Sequence, residues 1–291
     1  MINPKKIIIG TAQFGSAYGI SNSSGILKHE EIKKIFKITN QNNITFFDTS
    51  TGYGTSEEII GRYNKFELNV VTKLSKIPEI ENTQICEWIF DQVTNSIKKL
   101  NSNKLYGLLL HYPEQLFSKN GKYIYDALIK LKRQSMVKKI GISLYSIEQL
   151  SKFITEFELD LVQAPLNIID QRLVTENVLS TLKHNNIELH ARSIFLQGLL
   201  LMDRNKIPKY FDRWSKLFED WHKWLKANKL SAIEACFAYV NNLPNIDKII
   251  IGVNNHIQLL EIMNLKIIKK MNFPAISSND NDLINPSNWR Y

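Results

Sequence analysis

Apolar, β-prone runs alternate with amphipathic runs of helical period along almost the whole of this chain, and the alternation repeats eight times. The strand-like runs are Lys6–Gly10, Thr45–Asp48, Val70–Lys73, Gly107–His111, Lys139–Ile142, Leu161–Gln163, Glu188–Ala191 and Lys248–Ile251. The helix-like runs fall near Glu30–Gln41, Glu57–Tyr63, Thr83–Leu100, Tyr123–Gln134, Ile147–Phe157, Glu176–Asn185, Ala232–Asn241 and His256–Leu265. Strands separated by helices imply a parallel sheet with covering helices. Eight such repeats imply closure, which removes the sheet edges. The predicted fold class is α/β, a (β/α)8 or TIM barrel. Such a barrel takes ~250 residues, so the 291 residues read as a single domain, 1–291.

Two segments fall outside the repeat. Ile207–Asn228 carries Trp214, Leu217, Phe218, Trp221 and Leu225 at helical spacing and predicts an extra helix after the seventh strand. Its aromatic stripe reads as packing, with lining of a substrate pocket as the alternative. The C-terminal Asn272–Tyr291 is rich in Asn, Ser, Asp and Pro and predicts a loop. Trp289 and Tyr291 either close over a ligand or pack on the barrel exterior.

Composition narrows the function classes. An apolar share of 44% suits a globular protein with a full core. No apolar run reaches the ~18 residues of a transmembrane helix, and the apolar stretch in MINPKKIIIG is too short for a signal peptide. The expected location is the cytoplasm, with no membrane partner. Cys86 and Cys236 are far apart and sit in helix-like patterns, which reads as reduced thiols. No CxxC or HExxH spacing occurs, so no metal is expected. The net charge of +9 comes from lysines spread along the helices, such as Lys33, Lys34, Lys98 and Lys138. No basic arm forms, so no nucleic-acid partner is expected, although a basic surface attracts an anionic small molecule. The sequence leaves the oligomeric state open.

Four polar residues close, or closely follow, strand-like runs: Asp48 and Tyr53 in ITFFDTSTGYG, Lys73 in NVVTKL and His111 in LYGLLLHYP. The loops after the strands build the active face of such a barrel. Singly, each has a bland reading: Asp48 as a helix N-cap, Tyr53 as packing, His111 as a structural residue. Together they make a proton-donating site. The ammonium of Lys73 favours the Tyr53 phenolate and is expected to lower its pKa. Asp48 holds the ammonium, which would be costly if buried unpaired, and His111 orients a carbonyl oxygen.

With these residues in this order, the chain resembles the aldo-keto reductases, NAD(P)H-dependent carbonyl reductases built on the (β/α)8 barrel. The resemblance runs from GTAQFG to IIIGVNNHIQLLE, nearly the whole chain. It implies catalytic roles for Asp48, Tyr53, Lys73 and His111 and a cofactor, NADPH or NADH. It implies Gly10, Thr11 and Gln13 at the barrel mouth below the nicotinamide. Ser143 and Gln163 fall where the family holds the carboxamide, with Leu144 in place of the usual Asn. Arg192 falls where the family stacks an aromatic ring; it either stacks on the nicotinamide or pairs with a carboxylate. Ser193, Phe195, Gln197 and Gly198 belong to a loop implied to wrap the pyrophosphate. Gly252, Val253, Asn254, Gln258 and Glu261 belong to the implied adenosine site, where the usual cation for a 2′-phosphate is missing. No GxGxxG follows a strand, which argues against a Rossmann dehydrogenase.

The implied function is reduction of an aldehyde or ketone carrying small-molecule substrate. The wording GTAQFG…HARSIFLQGLLL resembles a bacterial subgroup linked to surface-polysaccharide and sugar metabolism, which points to a keto-sugar. The alternative is a non-catalytic cofactor-sensing or scaffold protein of the same fold, like the potassium-channel β subunits.

Overall fold

Eight parallel strands pair in chain order and close on themselves in the computed structural model of the protein. The structure describes every residue except 1, 21, 23, 24, 66, 67, 267, 269, 270 and 291. The strands are β1 (Ile7–Gly10), β2 (Phe46–Asp48), β3 (Asn69–Leu74), β4 (Leu105–Leu110), β5 (Val137–Ser143), β6 (Leu161–Pro165), β7 (Glu188–Arg192) and β8 (Lys248–Gly252). Closure is made by β1 against β8, in register from Ile7 with Ile249 to Gly10 with Gly252. His111 stands one residue beyond β4, outside the strand expected to contain it.

Side chains alternate across a strand, so each strand serves two cores. Val71, Leu109 and Leu161 form a small cluster inside the barrel. Their neighbours Val70, Leu108, Leu110 and Val162 belong to the large cluster between the sheet and the helices. The helices meet that cluster with one stripe. His29–Gln41 buries Ile32, Ile35, Phe36 and Thr39, a spacing of three and four that lines one helix face. Ala232–Asn242 starts at a capping box in which Ser231 and Glu234 satisfy each other's backbone N–H.

Three segments differ from expectation. The run expected at Glu176–Asn185 forms as Val178–His184, and a short helix, Arg172–Thr175, precedes it, with Asn177 in a left-handed conformation (φ 56) between them. The extra segment after β7 begins as a 3-10 turn, Lys209–Trp214, and only then becomes the helix Ser215–Asn228. Its aromatics do pack: Phe218 and Trp221 are fully buried, and Trp221 Nε1 donates to the Leu200 carbonyl (3.1 Å). The C-terminal segment is more ordered than a loop, with helical turns at Asn281–Ile284 and Pro286–Asn288 started by the side chains of Asp280 and Asn285. Trp289 meets Phe211 edge-on (centroids 5.0 Å apart), so it packs on the extra segment. Tyr291 lies outside the described residues.

Both cysteines are free, Cys236 buried and Cys86 half-buried. Among the described residues no helix is long and apolar enough to cross a membrane.

Candidate active site

One inward position above the apolar rung, the strands turn polar. Val71 is followed two residues later by Lys73, Leu161 by Gln163, His190 by Arg192 and Phe46 by Asp48. The period of two therefore keeps Asp48, Lys73, Gln163 and Arg192 on the inward face of their strands at the barrel mouth.

Lys73 is 1% exposed. Its ammonium donates to both Asp48 oxygens (2.8 and 2.7 Å) and to the Thr49 carbonyl (3.0 Å). An ammonium has three donors, and all are used. Gln163 Nε2 donates to Asp48 Oδ1 (2.7 Å), and Ser143 Oγ donates to Gln163 Oε1 (3.4 Å). Thr11 ties the β1 loop to this layer: its N–H and its hydroxyl donate to the Asp48 carbonyl (3.0 and 2.9 Å).

Tyr53 is aimed by a close approach of two loops. A Cβ on Gly15 would lie 1.9 Å from the Tyr53 carbonyl oxygen, and one on Gly54, at φ 55, would lie 2.5 Å from the Gly15 oxygen. Only glycine at both positions lets the turn Ala12–Gly15 seat against the Tyr53 turn. The phenol ring then lies with its centroid 5.4 Å from Lys73 Nζ. The His111 ring meets it edge-on at 6.2 Å.

The electrostatics differ from expectation at Tyr53. Burial first, and the Asp48 carboxylate second, hold the phenol above its ordinary range, while Arg192 pulls it down. The expected lowering by Lys73 is outweighed, because its three N–H groups are spent on Asp48 and Thr49 and the ring sits in a low-dielectric wall. Burial also pulls the Lys73 ammonium down, opposed by Asp48. His111 is pulled down to about 4 by burial and by the Lys73 charge, so its ring is neutral at pH 7.

A cleft of about 890 Å3, open to solvent, runs over this layer. It brings together Gly10, Thr11, Gln13, Asp48, Tyr53, Gln163, Arg192, Ser193, Phe195, Gln197, Gly198, Gly252, Asn254 and Gln258. Lys73 and Ser143 are buried beneath its lining, and Val253 is buried behind it. Glu261 is exposed on the helix His256–Met263 and does not line the cleft.

Arg192 stacks on Tyr145, its guanidinium carbon 3.8 Å from the ring centroid. It donates to the Leu144 carbonyl (3.1 Å) and to Ser193 Oγ (3.2 Å). Among the described residues it has no carboxylate partner, so the ion pair considered for it does not form. The following loop holds Ser193, Leu196, Gln197 and Gly198 at positive φ. Gln197 Nε2 donates to Tyr18 Oη (3.1 Å), linking the β7 and β1 loops at the cleft. Nothing in the sequence around Tyr18 and Tyr145 marks them as site residues. Neither belongs to a periodic run, and their positions depend on loop paths.

After β8, Asn254 N donates to Gln258 Oε1 (2.7 Å) and Gln258 N donates to Asn255 Oδ1 (2.9 Å). His256 donates through its N–H and its Nδ1 to Glu31 Oε2 (3.2 and 2.7 Å). Those contacts, with Lys34, hold the Glu31 carboxyl down at about 2. Asn254 Oδ1 is buried and has no partner among the described residues.

Comparison with known proteins bears on the family and the fold. The aldo/keto reductase family matches residues 6–280. The chain is 29% identical over 173 residues to aldo-keto reductase YhdN of Bacillus subtilis, covering 54% of this chain and 50% of that protein. It is 27% identical over 206 residues to an aldo-keto reductase of Gibberella moniliformis, covering 67% and 62%. The matches thus span half to under two thirds of the length of these relatives. Among solved structures, the holo form of an aldo-keto reductase from Bacillus halodurans superposes with a TM-score of 0.70 at 14% identity, over 90% of this chain and 88% of that one. The glycerol dehydrogenase of Gluconobacter oxydans gives 0.69 at 19% identity, over 91% and 88%. At those identities the likeness is one of fold. The family match spans all eight strands, and the chain belongs to the aldo/keto reductase family, a family of NAD(P)H-dependent oxidoreductases.

Proposed function

We propose that residues 1–291 act as one barrel domain that reduces an aldehyde or ketone to an alcohol with NADPH or NADH. The observation that carries this reading is the buried Lys73–Asp48 pair beside Tyr53. A buried ion pair contributes little to stability compared with apolar packing. Its place under the one phenol aimed into the cleft by two glycines points to chemistry.

The residues present fit a dinucleotide. The cleft is lined by both apolar and polar groups, with Arg192, Gln163 and Asn254 among the polar ones. Arg192 uses two side-chain hydrogen bonds of the five N–H donors a guanidinium has. Asn254 Oδ1 is a buried acceptor still to be satisfied. Gln163, Arg192 and Ser193 would hold the nicotinamide end, the loop from Ser193 to Gly198 the pyrophosphate, and the stretch from Gly252 to Gln258 the adenosine. Gln163 gives one amide hydrogen to Asp48 and keeps a second for the carboxamide. When bound, the reduced nicotinamide supplies the hydride.

Tyr53 donates the proton to the carbonyl oxygen. Its raised pKa keeps that proton on the phenol at neutral pH. Lys73 and Arg192 stabilise the phenolate left behind. His111, neutral at pH 7, gives a ring N–H to the same oxygen without losing a proton. A keto-sugar is our substrate of choice. It is supported by the sequence wording after β1 and β7 and by Tyr18 and Gln197 at the cleft, groups suited to sugar hydroxyls.

The test is titration of the purified chain with NADPH and NADH by fluorescence, then cofactor oxidation against aldehydes, ketones and keto-sugars. Turnover of any carbonyl supports the reading. Binding without turnover across the panel would favour the non-catalytic sensor or scaffold, and no binding of either cofactor would overturn both.

A further inference from the structure

The cleft wall beside Tyr53 carries one uncompensated charge. Of the side chains lining the cleft, only those of Asp48 and Arg192 are charged in kind. Asp48 is closed into a pair with Lys73. Whichever partner holds the proton, that pair has no net charge. His111 and Tyr53 are neutral at pH 7. The Arg192 guanidinium is a cation. Its neighbours are a carbonyl, a hydroxyl and the Tyr145 ring, none of them anionic. Stacking on Tyr145 offsets part of the cost of holding a half-buried cation, and its remaining N–H donors are left for a ligand.

We propose that Arg192 makes the site selective for the redox state of its cofactor, favouring the uncharged dihydronicotinamide over the cationic pyridinium. The inference rests on the reading above, that a nicotinamide dinucleotide binds in this cleft. The ring must bring its hydride to a carbon whose oxygen is bonded to Tyr53. The cleft lining includes Gln163, Arg192 and Ser193 as well as Tyr53, so a ring reacting there would meet the guanidinium. A guanidinium plane stacks favourably on a neutral, electron-rich ring. The oxidised ring carries a full positive charge, and like charges at stacking distance repel strongly in a partly desolvated cleft. The ribose, pyrophosphate and adenosine parts are the same in both forms, so the whole difference falls on the ring. Consequently the reduced form is held for reaction and the oxidised product is released, which suits carbonyl reduction over alcohol oxidation.

Calorimetric titration of the wild-type chain with NADH, NAD+, NADPH and NADP+ tests this, because binding is read without turnover. The reduced member of each pair that binds is expected to bind at least about tenfold more tightly, or about 1.4 kcal/mol. In Arg192→Gln, which keeps a planar donor and loses the charge, the ratio is expected to fall to within about threefold of unity. Arg192→Met is a second charge-free variant should the first fail to fold. A wild-type ratio already near unity overturns the inference alone and leaves the cofactor reading standing, as does an undiminished ratio in a folded charge-free variant. Failure of all four compounds to bind the wild type overturns the cofactor reading and this inference with it.

Discussion

The barrel holds two polar clusters, one at its base and one at its mouth, and they are finished differently. At the base, Glu188 accepts hydrogen bonds from Tyr106 Oη (2.8 Å), His190 Nε2 (2.7 Å) and Lys139 Nζ. Burial alone would raise its carboxyl, yet these donors bring it down to about 2. Nearby, Lys248 Nζ donates to the Lys5 carbonyl (2.6 Å) and lies over the Phe46 ring. Only His190 Nδ1 is left without a partner there among the described residues. At the mouth the carboxylate is likewise saturated, by Lys73 and Gln163. What remains is a neutral phenol and a guanidinium with no carboxylate partner among the described residues, both lining the cleft, and a neutral imidazole against the phenol ring. A satisfied network rigidifies a fold. A network with donors left over, in a cleft, is suited to a ligand and to proton transfer.

The largest contrast should come from removing one hydroxyl at each end. Tyr53→Phe should fold, bind cofactor and lose ~10²–10⁴-fold in carbonyl reduction, the usual cost of a positioned acid. Tyr106→Phe should leave turnover near wild type and lower stability by about 1.5–3 kcal/mol, the worth of a hydrogen bond to a charged group. Steady-state rates on both purified variants decide it. Near-native reduction by Tyr53→Phe would remove the phenol from the mechanism.

Next in size is the buried pair. Lys73→Met strands Asp48 without its cation, and breaking one partner of such a pair costs about 3–5 kcal/mol. Urea unfolding should show that loss, and the phenolate of Tyr53 should become harder to form. A variant as stable as wild type, with an unchanged pH–rate profile, would show that the pair serves neither stability nor acidity.

How much of this was legible beforehand depended on range. The strands were found because Ile7–Gly10, Asn69–Leu74 and their counterparts are apolar blocks bounded by turns, and the real ends differ by only a few residues. The polar layer was legible because Asp48, Lys73 and Gln163 each close an apolar run. The contact of Gly15 with Gly54 was not, since it joins loops distant in sequence. The same holds for Tyr145 under Arg192 and Tyr18 against Gln197. The acidity of Tyr53 was misread because a neighbouring cation is visible in a sequence and burial is not. The turns after Asp280 and Asn285 were misread despite a local signal: both are N-cap residues, and Asn285 precedes a proline.

The base cluster should reveal itself in acid. The Glu188 carboxyl sits at about 2 against an ordinary 4.5. A carboxyl lowered in the folded state adds stability that is fully present above the unfolded value and is lost as pH falls through the folded one. Stability should therefore fall between pH 4.5 and about 2, by less than the ~3.5 kcal/mol that roughly 1.4 kcal/mol per pKa unit would give, because solvent screens the partly exposed carboxylate. Glu188→Gln should be less stable than wild type at pH 7, with the gap closing towards pH 2. Urea midpoints across that range measure it, and a gap independent of pH would show that the carboxylate charge is not what the cluster stabilises.

The smallest effect expected is on cofactor choice, at the end of the cleft farthest in sequence from Tyr53. A 2′-phosphate seeks a cation and free N–H groups near a helix start. Here Asn254 N is taken by Gln258, Gln258 N by Asn255 and His256 N by Glu31. Gln258 is neutral, and Glu31 stays ionised at neutral pH because its carboxyl sits at about 2. A phosphate arriving there must displace protein acceptors and sit near a carboxylate. Discrimination in favour of NADPH should accordingly be weak or reversed, within about two orders of magnitude, or ~2.7 kcal/mol. Gln258→Arg frees the Asn254 N–H and supplies a fork of donors, and should shift the ratio towards NADPH by about tenfold, more at low salt. Fluorescence titration of both cofactors against both proteins measures the ratio. A wild type that prefers NADPH more than about a thousandfold would mean that a cation reaches the phosphate from elsewhere in the chain, and that the mouth is as fully counter-charged for its ligand as the base is for Glu188.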